Sequence, residues 1–103
     1  MGTLVLKHVI ETLGQYEPDD IAYVYNGVEI TEDAETAVVP YQMTKAGTPP
    51  GMVYFLEIGV MREVLEDTTA LAGHELSLRQ KIMALRYYSE HDAYIEMEDL
   101  EGR

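Results

Sequence analysis

The groups from which this chain could build chemistry are three histidines, nineteen carboxylates and two serines. His8, His74 and His91 are far apart, and none has a second histidine at metal-ligand spacing. There is no cysteine, so a zinc site would have to gather imidazoles and carboxylates from three separate elements. Asp19-Asp20 and Glu32-Asp33-Ala34-Glu35 offer oxygen ligands for a hard cation. Neither shows the spaced oxygens, central glycine and distal glutamate of a calcium loop. Ser77 and Ser89 lack the glycine-flanked turn that exposes a nucleophilic serine. The segment from Gly47 to Gly51 places Pro49 and Pro50 where a phosphate cradle needs backbone N–H groups. A carboxylate-pair hydrolase would need a cleft that so short a chain hardly encloses. The expectation is therefore a protein that is not an enzyme and uses no metal or cofactor.

What remains is carboxylate mixed with tyrosine. Nineteen acids against seven bases give a net charge of −12 over 103 residues. The excess is divided unevenly. Residues 1–44 carry eight acids and Lys7, a net of −7; residues 45–88 balance at zero; residues 89–103 carry six acids and Arg103, a net of −5. Such a field repels nucleic acid and anionic membrane and draws in basic partners. It serves equally as a solubility device. There are eight tyrosines, no tryptophan and one phenylalanine, and tyrosine combines an apolar body with a polar tip suited to adaptable interfaces. Tyr16, Tyr41, Tyr54 and Tyr94 fall at loop or outward positions among acids. Partner-binding candidates are Glu29, Glu32, Asp33 and Glu35 in the first acidic block, and Tyr94, Glu96, Glu98 and Asp99 in the last. Alternate residues on a strand lie roughly 6.7 Å apart, so Glu96 and Glu98 would present negative charge in steps similar to a phosphate backbone.

In size and charge, over the whole chain, the sequence resembles the phage anti-CRISPR and anti-restriction proteins that act as DNA mimics. No motif carries the resemblance. It implies an acidic inhibitor occupying the nucleic-acid site of a basic protein, without binding nucleic acid itself. An immunity protein for a basic nuclease toxin would use the same electrostatic steering. A housekeeping adaptor, or a subunit that forms a homodimer through a sheet edge, would need no acidic decoy at all.

The elements that must position these groups follow from periodicity. One domain over 1–103 is expected, with an apolar fraction of 47% that suits a folded globule. Leu6, Val9, Ile10 and Leu13 make an apolar face for a helix over 4–13, which Gly14 ends. Asn26-Gly27 between alternating segments predicts a β-hairpin over 21–30 with a type I′ turn and Ile21, Tyr23, Tyr25, Val28 and Ile30 facing inward. Ala37-Val38-Val39 is a short strand limited by Pro40. Met52, Phe55, Leu56, Gly59, Val60 and Val64 recur at three-and-four spacing, which predicts a central helix over 49–67. Ser77-x-x-Gln80 is a capping box opening a helix over 78–89. Residues 93–97 alternate as a strand, with Ala93, Ile95 and Met97 inward, followed by a frayed tail over 99–103. The fold class is α+β, a small antiparallel sheet packed by about three helices. No apolar run approaches the roughly 18 residues of a membrane span, and neither cysteine nor a signal-peptide layout is present, so the expected compartment is the cytoplasm.

Overall fold

A computed structural model describes residues 2–102, and Arg103, counted in the charge of the last block, lies outside them. The chain is α+β: a four-stranded antiparallel sheet, with one short helix between its first two strands and three more after its last. It divides into two compact units, residues 1–60 and 61–103.

The first unit holds the whole sheet. Its strands are β1 (Leu4–Val5), β2 (Ile21–Tyr25), β3 (Glu35–Val39) and β4 (Met52–Glu57), in the order β1-β3-β2-β4. Helix α1 spans Leu6–Glu11, and two 3-10 turns cover Leu13–Gln15 and Tyr41–Ala46. β2 is central. It pairs Tyr23 with Ala37 and Val24 with Thr36 on one side, and Tyr23 with Tyr54 and Tyr25 with Met52 on the other. Tyr23, Ala37, Val39 and Met52 form one apolar cluster flanked by Ile21 and Tyr25, as the alternation of β2 requires. Ala22 and Val24, of opposite parity, are buried too, so β2 is covered on both faces.

Three expectations in this unit are corrected. The helix over 4–13 is shortened to Leu6–Glu11, because Leu4–Val5 pair with β3 as β1 and Gly14 lies inside a 3-10 turn instead of ending the helix. The hairpin over 21–30 does not form. Gly27 does turn the chain, with φ 80°, and Val28 N–H donates to Tyr25 C=O at 3.4 Å. Asn26 keeps a negative φ, whereas a type I′ turn needs positive φ at both central positions. The turn therefore lacks the twist that returns a strand at once, and residues 28–30 stay outside the sheet. β3 takes the place beside β2, and Pro40 follows its last residue as expected. The helix over 49–67 is also corrected: residues 52–57 are β4, and α2 runs from Ile58 to Ala72. A β-bulge explains the misleading period. Ala22 pairs with Leu56 and Tyr23 with Tyr54, so Phe55 is an extra residue that resets the parity of the strand. Met52, Phe55 and Leu56 are buried while Val53, Tyr54 and Glu57 are exposed, a spacing indistinguishable from one helix face. In α2 itself the buried positions are Ile58, Met61, Val64 and Thr68, a face rotated from the expected one, and Val60 is only half-buried.

In the second unit, α3 spans Leu78–His91 and α4 spans Met97–Leu100. α3 opens on the expected capping box: Gln80 N–H donates to Ser77 Oγ at 3.1 Å, and Ser77 N–H donates to Gln80 Oε1 at 3.0 Å. Two of the orphan amides at that end are thereby satisfied. The helix closes on Asp92, which adopts the left-handed conformation (φ 52°) and donates its N–H to Tyr88 C=O at 2.8 Å. The strand over 93–97 is not formed. Asp92 turns the chain, Glu96 becomes the N-cap residue of α4, and Glu98 and Asp99 occupy its first turn, where acids favour helix over strand through the helix dipole. Of the expected inward set only Ile95 is buried; Ala93 is exposed and Met97 half-buried. Leu100, placed in the frayed tail by its sequence, is 2% exposed.

Candidate functional site

Every described acid lies at the surface: Asp20 and Asp99 are half-buried and the other seventeen are exposed. Each unit is acidic in its own right. Residues 1–60 carry nine acids and two bases, and residues 61–103 carry ten acids and five bases.

Glu29, Glu32, Asp33 and Glu35 all belong to the first unit and are all exposed. Glu29, Glu32 and Asp33 sit on the connection from β2 to β3, and Glu35 opens β3; the connection is fastened by the start of α1. Val5 is the N-cap of α1 and supplies no side-chain bond, so the first amides of the helix need other acceptors. Leu6 N–H donates to Ala34 C=O and Lys7 N–H to Glu32 C=O, each at 2.9 Å. Ala34 N–H closes the 31–34 turn onto Thr31 C=O at 3.1 Å, and Thr3 Oγ1 donates to Glu35 Oε1 at 3.3 Å. Glu32 and Asp33 thus occupy the tip of a held turn, their side chains in solvent.

Tyr94, Glu96, Glu98 and Asp99 belong to the second unit. Tyr94 is committed to a neighbour: its hydroxyl donates to Asp67 Oδ2 at 2.5 Å, and its ring lies 5.7 Å from that of Tyr88. The hydrogen bond to Asp67, then desolvation and the negative charges of Asp67 and Glu63, push the Tyr94 phenol up to about 12. This bond anchors the segment entering α4. Glu96 and Glu98 are exposed beyond it. With 94–96 coiled and Met97 beginning a helix, the strand-like step between Glu96 and Glu98 is absent.

The eight candidates therefore form two groups of four, one in each unit. A third acidic feature lies outside them. Glu17, Asp19, Asp20, Pro40, Tyr41 and Gln42 line an open cleft of about 510 Å³ in the first unit. Glu17 and Asp20 belong to a turn in which Asp20 Oδ2 accepts from Glu17 N–H at 3.0 Å and Asp20 N–H donates to Glu17 C=O at 3.1 Å. The pairing of Ile21 with Val39 carries Asp20 and Pro40 to the same end of the sheet. The acids and Tyr41 were visible in the sequence; their meeting depends on a strand pairing 18 residues apart, for which the sequence holds no local sign.

Among the described residues, no three histidine, aspartate or glutamate side chains converge to hold a metal ion, and no helix is long and apolar enough to cross a membrane. Comparison with protein-family models, with curated proteins and with solved structures found no match.

Proposed function

We propose that this chain is a non-enzymatic acidic binding protein that engages a basic partner, as a decoy for the nucleic acid that the partner's surface ordinarily holds. The observation that carries the reading is the placement of charge. The carboxylates that give −12 are all at the surface, and both units carry their own excess. An outward field of this kind raises the encounter rate with a cationic surface and repels nucleic acid. The cleft between Glu17, Asp19, Asp20 and Tyr41 adds a recess in which a guanidinium or ammonium group would meet carboxylate and an aromatic face together.

The test begins with capture of a partner from host lysate at low salt and elution by a salt step. Association of the purified pair is then followed with charge-reversed variants. Glu32→Lys with Asp33→Lys changes the first group, and Glu96→Lys with Glu98→Lys changes the second. Glu63→Lys with Glu66→Lys, on the exposed side of α2, is the control. At least one of the first two pairs lowers the association rate by about tenfold or more, with folding stability nearly unchanged. Added salt weakens the wild-type complex steeply, because exposed charges are screened beyond roughly 8 Å at physiological ionic strength. Equal association by all three variants at low salt sinks the decoy reading and leaves the charge as a solubility device.

A further inference from the structure

His74 lies in the turn between α2 and α3, and both of its ring nitrogens meet oxygen acceptors. Nδ1 is 2.8 Å from the backbone carbonyl of Glu75, and Nε2 is 3.1 Å from Oε1 of Glu101, just beyond α4. Neither oxygen brings a proton: one is a carbonyl and the other a carboxylate. A neutral imidazole has one N–H and one lone pair. Either neutral tautomer would therefore aim a lone pair at an acceptor oxygen, across 2.8 Å or across 3.1 Å. Only the imidazolium satisfies both contacts. Among the described residues, the elements around this contact carry further charged groups: Glu75 precedes α3 and is exposed, Arg79 of α3 lines the same cleft as Glu101, and Glu98 and Asp99 lie in α4.

We infer that His74 is a pH-sensitive clasp, which in its protonated form holds the C-terminal end of α4 against the turn between α2 and α3. Two parts of that attachment carry no titrating group: Leu100 is buried, and Gln80 Nε2 donates to the Leu100 carbonyl at 3.5 Å. The clasp thus modulates a docked segment and does not create it. The bond to the Glu75 carbonyl, first, and the bond to the Glu101 carboxylate, second, hold the His74 pKa above its ordinary 6.5, with desolvation opposing them. A group whose pKa is raised in the folded state stabilises fully below its unfolded pKa, and the contribution is lost as pH rises through the folded pKa. Docking of α4 is therefore firmer on the acid side of neutrality and looser on the alkaline side. Arg79 lines the same cleft as Glu101, and a guanidinium there bounds the effect when His74 is neutral. The clasp stands whether or not the acidic surface binds a partner.

The test uses the intact chain in NMR, with imidazole titrations and amide exchange in the wild type, Glu101→Gln and His74→Lys. In the wild type His74 titrates above 6.5, and Glu101→Gln moves it back toward that value. The amides of Leu100, Glu101 and Gly102, which bond to Glu96, Met97 and Asp99 within and just after α4, report its docking. Corrected for intrinsic base catalysis, their exchange speeds up severalfold between about pH 5.5 and about pH 8.5 in the wild type, a range spanning histidine titration. His74→Lys keeps its charge across that range and shows no such acceleration. The inference is overturned if Glu101→Gln leaves the His74 titration where it was, or if wild type and His74→Lys share one pH dependence of corrected exchange.

Discussion

Thr36 and Thr68 are the two buried threonines among the described residues, at 0% and 1% exposure, and the same substitution acts on them in opposite directions. Thr36 Oγ1 donates to the Ala34 carbonyl at 3.0 Å. Thr68 Oγ1, on the buried face of α2, has no hydrogen-bond partner. A hydroxyl desolvated without a partner costs about 1–3 kcal/mol, whereas a made hydrogen bond contributes about 1 kcal/mol net. Valine matches threonine in shape and in β-branching, so helix propensity scarcely changes. Thr68→Val therefore removes a penalty and adds apolar contact, a gain of at least about 1 kcal/mol. Thr36→Val removes a bond. The Ala34 carbonyl keeps its bond from Leu6 N–H at 2.9 Å, so the loss is held to about 1 kcal/mol rather than the larger cost of an orphaned acceptor. Urea unfolding of the two variants, read as midpoint at constant slope, separates them by about 2 kcal/mol in total. In thermal melts of a domain this size each kilocalorie moves the midpoint by about 4–8 °C. If Thr68→Val is neutral or destabilising, the hydroxyl has a partner, such as the carbonyl one turn back in α2, and the reasoning from an orphaned group fails. Thr68→Ser is the companion control: it keeps the hydroxyl, loses a methyl, and is destabilised by roughly 1 kcal/mol.

Two further outcomes follow from single contacts. Gly59→Ala destabilises by about 1 kcal/mol despite alanine's better helix propensity, because the added Cβ would stand 3.1 Å from the Pro18 carbonyl oxygen and 3.2 Å from Pro18 Cβ; a more stable variant by denaturant unfolding would show that the Pro18 turn yields. Tyr94 titrates near 12 in ultraviolet phenolate absorbance, and Asp67→Asn returns it toward 10. Its raised folded pKa means that the stabilisation is complete below about 10 and lost as pH rises through about 12, so an unchanged titration in Asp67→Asn would remove Asp67 as the cause.

What the sequence told and withheld follows from the range over which each signal acts. The capping box of α3 is complete within four residues, and Ser77 and Gln80 make both of its bonds. β2 was legible because Tyr23 and Tyr25 alternate inside a five-residue strand. Asn26-Gly27 marked a turn correctly but not its type, since φ at Asn26 is settled by what the chain does next: β3 offers Thr36, Val38 and Val39 as a longer β-branched partner than residues 28–30. The period of 52–56 was real and misassigned, because a bulge in an edge strand counterfeits helical spacing. The carboxylates were correctly placed at the surface by their chemistry alone. Their grouping was not, for the cleft at Asp20 and Tyr41 and the contact of Tyr94 with Asp67 each need partners brought from elsewhere in the chain.

The amides of α1 bear on how the chain comes to fold. Leu6 and Lys7 donate to carbonyls at Ala34 and Glu32, and the helix is six residues long with no side-chain cap. Isolated helices so short do not persist in water. α1 is thus a helix by sequence position and a long-range element by energetics, as dependent on distant chain as any strand pairing. During synthesis its residues emerge before those acceptors, so this stretch stays in equilibrium with coil until the segment through β3 has followed. α3, with fourteen residues and a capping box of its own, finds the acceptors for its first turn within its own segment. The order of appearance along the chain and the order of consolidation therefore run in opposite directions, with the loop-closure entropy of the α1 contacts setting the slower event.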